Sequence, residues 1–386
     1  MKHKFTSKRH WAYKPTPLTQ TDEMAIRYDD VINLSVGDPD YPVDRLVIDK
    51  MYQDTLKGHT KYTEFLGDGE LRQEICNYYR DDFGCNFTTD QVIITSGGTS
   101  ALYTLMETIL DEEDEVILIS PYYIYYEPQV ELARGKVVLC ETKSKDNFEP
   151  DIEALKTKIN AKTKAVIVNS PTNPTGKVYK EETIKELIGL ANRHDFLIIA
   201  DDIYGVYNYT ERIKPICAYE PDNPRIITIY SFSKDYAMTG FRLGYVIAEK
   251  PIVDTLLFVS GSVSFTVNAM AQRAGIHALR DRKRIQKEIY EEYKKRVFYA
   301  YERVSKMKNM RCYLPEGTFY LFVDIRETNL TSEEIWEKIL DEAHVLVVPG
   351  NGFGSAGEGF IRIACTCGLD MLKKAFDRMQ QMDIFQ

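Results

Sequence analysis

Ile226-Ile227-Thr228-Ile229-Tyr230-Ser231-Phe232-Ser233-Lys234 is the stretch on which the fold turns. An almost unbroken apolar and β-branched run gives way at once to hydroxyl side chains and a lysine. Continuous runs of this length, rather than alternating ones, belong to strands buried on both faces of a mainly parallel sheet. Outward from it the same texture returns at 92–95, 116–119, 137–140, 165–169, 197–201 and 245–248. Between two of these runs, Ile184, Leu187, Ile188 and Ala191 recur at helical spacing within 181–194, a helix that covers one face of the sheet. The spacing therefore predicts an α/β architecture: a mostly parallel seven-stranded sheet sandwiched by helices.

After Asn268 the texture changes. Residues 280–308 are dense in Lys, Arg and Glu and predict a long solvated helix leading out of the sheet. Strand 319–325, helix 332–343, short strand 345–348, strand 360–364 and helix 370–379 then suit a smaller α+β domain. Pro15, Pro17, Pro39 and Pro42 predict an irregular arm before about residue 45. A chain of 386 residues exceeds what one core usually organises. The expected division is 1–44 for the arm and part of the small domain, 45–275 for the large domain, and 276–386 for the small C-terminal domain.

Hydrophobic content of 44% and charged content of 28% exclude a disordered or fibrous chain. The net charge of -9 is spread along the sequence, which disfavours nucleic acid or an anionic membrane as partner and favours small molecules. No stretch approaches the roughly 20 apolar residues that span a bilayer, and 1–10 lacks a secretory apolar core, so cytoplasmic residence is expected. Seven cysteines at irregular spacing read as reduced, partly buried thiols, and six histidines show no ligand spacing. No metal is expected.

Open α/β sheets bind ligands at the carboxyl ends of their strands, so the residues that follow each strand carry the chemistry. Ser96-Gly97-Gly98-Thr99-Ser100 follows one strand and opens a helix, where glycine backbone N–H groups and a Thr hydroxyl can meet an anion; a plain capped turn is the bland alternative. Asn169-Ser170-Pro171-Thr172-Asn173-Pro174-Thr175-Gly176 ends another in a rigid turn that holds the Asn173 amide as a donor. Asp201, ending a third, is costly without a partner; a protonated ring nitrogen would serve, as would a helix cap or an internal salt bridge. Lys234 is flanked by Ser231 and Ser233 and lies eight residues before Arg242. An electropositive, desolvated setting of that kind lowers a lysine pKa and frees the amine for imine formation.

With these motifs in this order, the chain resembles the class I/II aminotransferases of the aspartate aminotransferase superfamily, pyridoxal 5'-phosphate (PLP) fold type I, from about Ile32 to the C-terminus. The resemblance implies the PLP-dependent transferase fold, with the coenzyme in the large domain. It implies Lys234 as the Schiff-base lysine, Asp201 as the pyridinium partner, and Asn173 with Tyr204 as donors to the phenolic oxygen. Gly98, Thr99, Ser231, Ser233 and Arg242 would hold the phosphate. Tyr62 would reach the phosphate of the neighbouring subunit, making a homodimer the working unit. Arg362, on the expected strand 360–364, matches the family's substrate-carboxylate clamp, and Gly37 its closing arm segment. Where many relatives stack a tryptophan on the ring, this chain has the run Tyr122, Tyr123, Tyr125, Tyr126, so Tyr123 would stack; two of the four equally suit the core. Thr99 stands where bacterial dicarboxylate-type relatives often have a lysine, so the resemblance does not carry an aspartate preference with it.

The activity implied is transfer of an amino group from an L-amino acid to a 2-oxo acid. A PLP lyase or decarboxylase on the same scaffold shares these motifs. A nicotinamide oxidoreductase does not fit, because Gly350-Asn351-Gly352-Phe353-Gly354 does not open a βαβ unit. A non-catalytic PLP-binding regulator would need a basic DNA-binding segment, and none precedes the domain.

Overall fold

The computed structural model describes residues 3–11, 17–210 and 214–386. Strand β1 (Ile32–Asn33) precedes the large sheet, which is built from β2 (Val92–Thr95), β3 (Glu115–Ser120), β4 (Lys136–Glu141), β5 (Thr163–Asn169), β6 (Leu197–Asp201), β7 (Ile226–Ser231) and β8 (Gly244–Ile247). Its seven strands lie in the order β2-β8-β7-β6-β5-β3-β4, parallel except for β8, which is antiparallel to both neighbours. Each expected apolar run became one of these strands, within two residues of its expected ends. β2, β7 and β8 are buried along their whole length, which is why their sequences are continuous rather than alternating.

The smaller sheet holds β9 (Tyr320–Asp324), β11 (Val348–Pro349) and β12 (Phe360–Ala364), antiparallel in the order β11-β12-β9, while β10 (Val345–Leu346) pairs in parallel with β1. The expected strand 345–348 is thus two short segments serving different partners. The expected long helix runs Arg282–Val304 and is preceded by a separate helix, Ala269–Arg280. Among the described residues no helix is long and apolar enough to cross a membrane.

The expectation of an irregular arm before residue 45 needs correction. Residues 34–44 are irregular, but Pro17 opens a helix, Pro17–Ala25, and β1 joins a sheet. Proline is tolerated at the first helical position, where its missing N–H is unpaired in any residue. Pro15 lies outside the described residues.

Helices Arg45–Leu56, Gly69–Phe83 and Ala269–Arg280 are tied together by a buried ionic cluster. Asp54 accepts from Arg273 Nε at 3.0 Å and meets His277 Nε2 at 2.8 Å; Arg273 also reaches Asp68 and Glu70. Burial opposes the Asp54 charge, but the hydrogen bonds and charges of His277 and Arg273 outweigh it and hold the carboxyl at about 2. Its folded pKa lies below the ordinary value, so the carboxylate stabilises the fold above the usual carboxylate range and that contribution fades as pH falls toward about 2. We expect about 2 kcal/mol of stability to disappear over that window. In urea melts at pH 6 and pH 2.5 (roughly the two sides of that window), Asp54→Asn should show a smaller acid loss than the wild type; equal losses would reject the assignment.

Candidate active site

The strand register assembles the site. In β5 and β6, Asn169 sits opposite Asp201; Ser231, ending β7, sits opposite Gly244, which is also opposite Thr95 at the end of β2. The strand ends therefore deliver Asn169, Asp201, Ser231 and the Gly97-Gly98 turn to one edge of the sheet. A cavity of about 430 Å³ opens there. It is lined by every candidate residue of the sequence except Tyr62: Gly37, Gly98, Thr99, Tyr123, Asn173, Asp201, Tyr204, Ser231, Ser233, Lys234, Arg242 and Arg362.

One end of the cavity is built for an anion. Gly98 is the first residue of helix Gly98–Ile109, so the N–H groups of its first turn have no partner within the helix. Gly97, at φ 87°, lies under the Arg242 guanidinium, and a Cβ there would meet Arg242 Nη2 at 2.8 Å. Arg242 itself adopts φ 53°, a left-handed conformation costing a non-glycine residue roughly 1–2 kcal/mol. Its Nη1 donates to the Thr239 carbonyl at 2.8 Å, which aims the fork at the turn. Ser231 Oγ donates to Ser233 Oγ at 2.9 Å and lies alongside Gly98.

The middle holds an acid and an amine. Asp201 is buried; burial raises its carboxyl to about 6, although Tyr126 Oη donates to Oδ2 at 2.5 Å. A buried carboxyl that keeps this much tendency to protonate is a site in want of a cationic N–H. Lys234 Nζ donates to the Gly37 carbonyl at 2.5 Å. Burial lowers the amine to about 8; Asp38 opposes the shift, and the charges of Arg362 and Arg242 add to it.

The far end belongs to β12. Arg362 is 2% exposed and sandwiched between the rings of Tyr320 and Phe353, at 4.3 and 4.8 Å. Its Nη1 donates to Asn173 Oδ1 at 3.0 Å and its Nη2 to the Ser35 carbonyl at 2.5 Å, while Nε is buried with no partner. Engaging the Asn173 oxygen turns that residue's Nδ2 toward Tyr204 Oη, 3.4 Å away, and Tyr204 Oη in turn lies 3.2 Å from Tyr320 Oη. Gly37 is required here, because a Cβ would overlap the Tyr320 ring.

Tyr62 stands apart. It is 81% exposed and packs edge-on against Phe265 at 4.9 Å, away from the cavity of its own chain. In the tyrosine run, Tyr122 and Tyr126 are buried, and Tyr123 lines the cavity. Sequence reasoning missed Tyr126 as the partner of Asp201, and it missed Tyr320, Asp38 and Thr239, of which Thr239 Oγ1 donates to Asp38 at 2.7 Å. Tyr126 was visible only as one of a run, and nothing local separates a core tyrosine from one whose hydroxyl meets a buried acid.

A mainly parallel seven-stranded sheet with an acid, an amine and an anion cradle at its carboxyl edge, faced by an arginine from a second sheet, is the architecture of an aminotransferase. The aspartate aminotransferase of Thermus thermophilus with maleate superimposes at a TM-score of 0.92, with 31% identity over 98% of this chain and 99% of that one. The aspartate aminotransferase of Thermotoga maritima is 35% identical over 352 residues, 91% of each chain. Aromatic-amino-acid aminotransferase 2 of Thermococcus litoralis is 32% identical over 377 residues, 95% of each. The family model described as aminotransferase class I and II matches residues 29–379. The chain belongs to that family and is a transaminase.

Proposed function

We propose that the cavity holds pyridoxal 5'-phosphate, with Lys234 as its covalent anchor, and that the protein moves the amino group of an L-amino acid to a 2-oxo acid. The carrying observation is that one cavity gathers an amine lowered to about 8, a buried carboxyl, an anion cradle and an arginine with a spare buried N–H. The donor set fits the coenzyme: Gly98, Thr99, Ser231, Ser233 and Arg242 would take its phosphate, Asp201 its ring N–H, and Asn173 with Tyr204 its phenolic oxygen. Tyr123 would lie on its ring. Bound there, the coenzyme supplies an electron-accepting ring.

The rest of the chemistry falls to the chain. Asp201, kept ionised by that N–H, would hold the ring nitrogen protonated. Arg362 takes the α-carboxylate, using donors that now hold the Ser35 carbonyl and Asn173, and thereby orients the α-carbon. Lys234 Nζ, lowered by burial to about 8 and so neutral in part near physiological pH, would accept the proton removed from the substrate α-carbon. Borohydride makes a coenzyme–lysine attachment permanent, so reduction of the loaded protein followed by peptide mapping should place the label on Lys234. A label on another lysine would refute the reading. Relatives named for aspartate and for aromatic amino acids stand at similar identity, so an amino-acid panel read optically names the donor.

We also propose the division 1–44, 45–275 and 276–386 for arm, large domain and small domain; the β1–β10 pair, which joins the arm to the smaller unit, supports it. The working unit in this reading is a homodimer in which Tyr62 crosses to the partner's phosphate. Exposed Tyr62, Phe65, Phe265, Phe258 and Val263 form the kind of apolar surface a second copy would cover. Tyr62→Phe should loosen the coenzyme roughly tenfold, about 1.5 kcal/mol for a hydrogen bond to a charged group. In dimers mixed with Lys234→Ala chains, one site should regain native affinity. Unchanged coenzyme binding by Tyr62→Phe, or a monomer in sedimentation velocity, would sink the proposal.

A further inference from the structure

A second cavity, of about 480 Å³, lies behind the first. Successive side chains at a strand end point to opposite sides, so Asp201 enters the coenzyme cavity and Asp202 enters this one. Its walls include helix Gly69–Phe83, the end of β7 and the long helix Arg282–Val304, and Tyr78, Tyr79, Tyr230 and Tyr290 are among the lining residues. The volume falls in the range of small-molecule sites.

Asp202 is 5% exposed, and its Oδ2 has no hydrogen-bond partner. A buried carboxyl left without a partner on one oxygen is costly, so the side chain favours a ligand that pairs with it. Burial raises its carboxyl to about 8, with added repulsion from the nearby Asp201 and Asp235; only the Ile216 N–H opposes the shift. Asp235 is itself buried, and the Tyr230 hydroxyl on Oδ2 is its side-chain donor. A carboxyl at about 8 is largely protonated at neutral pH, so an incoming ammonium would ionise it and supply an ion-pair partner that no cation among the described residues of the wall provides. Asp82 is taken by Arg282, at 2.7 and 2.8 Å; Lys214 Nζ sits over the Tyr219 ring at 3.8 Å, and Lys287 is exposed at the mouth. Tyrosine faces attract organic cations and also accept apolar surface.

The geometry points to a second binding site, for an organic amine whose ammonium head pairs with the Asp202 carboxyl and whose aromatic or alkyl body lies against the tyrosines. Nothing in the transamination chemistry uses this cavity.

N,N-Dimethyl-2-phenylethylamine is a suitable probe, because a tertiary amine cannot condense with the coenzyme aldehyde. Titrated calorimetrically into the coenzyme-loaded protein, it should bind saturably, one per chain. Uncharged 2-phenylethanol should bind about tenfold more weakly or worse, and Asp202→Asn should weaken the amine by about tenfold or more while keeping the coenzyme spectrum. Lys287→Glu, which exchanges an exposed cation at the mouth for an anion, should tighten the amine and leave the alcohol unchanged. Absence of saturable binding overturns the proposal, as does equal affinity of amine and alcohol. If Asp202→Asn does not fold, an amine affinity unmoved by Lys287→Glu overturns it instead.

Discussion

Lys234→Ala should remove the visible absorption of the anchored coenzyme and slow transamination by about 10⁴-fold or more, about 5 kcal/mol in the barrier. The size follows from the two roles proposed for the amine, as anchor and as proton carrier, with no second amine among the described residues lining the cavity to replace it. Stability should not fall with activity. The amine is desolvated and donates to the Gly37 carbonyl, so its loss relieves a burial cost as well as removing a contact. Melting temperature and circular dichroism should thus match the wild type or exceed it. Turnover within about tenfold of the wild type, or collapse of the fold, would show that Lys234 serves structure rather than chemistry.

Arg362→Ala should weaken binding of the substrate carboxylate by on the order of 2 to 5 kcal/mol, roughly thirtyfold to several thousandfold. Two rings and two hydrogen bonds already hold the guanidinium in place, so little rotamer entropy remains to be lost on binding. No carboxylate among the described residues pairs with it. An amine lacking the carboxylate should bind wild type and variant with nearly equal affinity. Arg362→Lys keeps the charge but cannot reproduce the planar fork, and should recover only part of the loss. Equal weakening of amino acids and of the carboxylate-free amine would mean that the side chain props the cavity open and does not clamp the substrate.

Most of the large sheet could be read from residues alone, because strands buried on both faces must be apolar throughout and 92–95, 197–201 and 226–230 have no other use for such runs. Asp201 stood out for a related reason, since a charged group at the end of an apolar strand is expensive and implies a partner; Lys234 stood out by its hydroxyl and arginine neighbours, and Arg362 only through the family resemblance. Tyr126, Tyr320 and Asp38 were not legible. Tyrosine is equally at home in a core, and the contacts that single these residues out, to Asp201, Arg362 and Lys234, join segments far apart in the chain. The helix at Pro17–Ala25 was obscured because proline usually breaks a helix, and its tolerance at the first position depends on where the helix begins. The role proposed for Tyr62 depends on a second copy of the chain, which no pattern within one chain displays.

The adjacency of Asp201 and Asp202 makes β6 unusually intolerant of length change. Loops beyond the strand ends can gain or lose residues and merely reshape the rim. One residue inserted between Leu197 and Asp201 would instead rotate the two acids past each other, handing the coenzyme chamber the wrong carboxyl and turning the right one toward the tyrosines behind. Variation during descent should therefore collect at the flanks of this strand and spare its spacing.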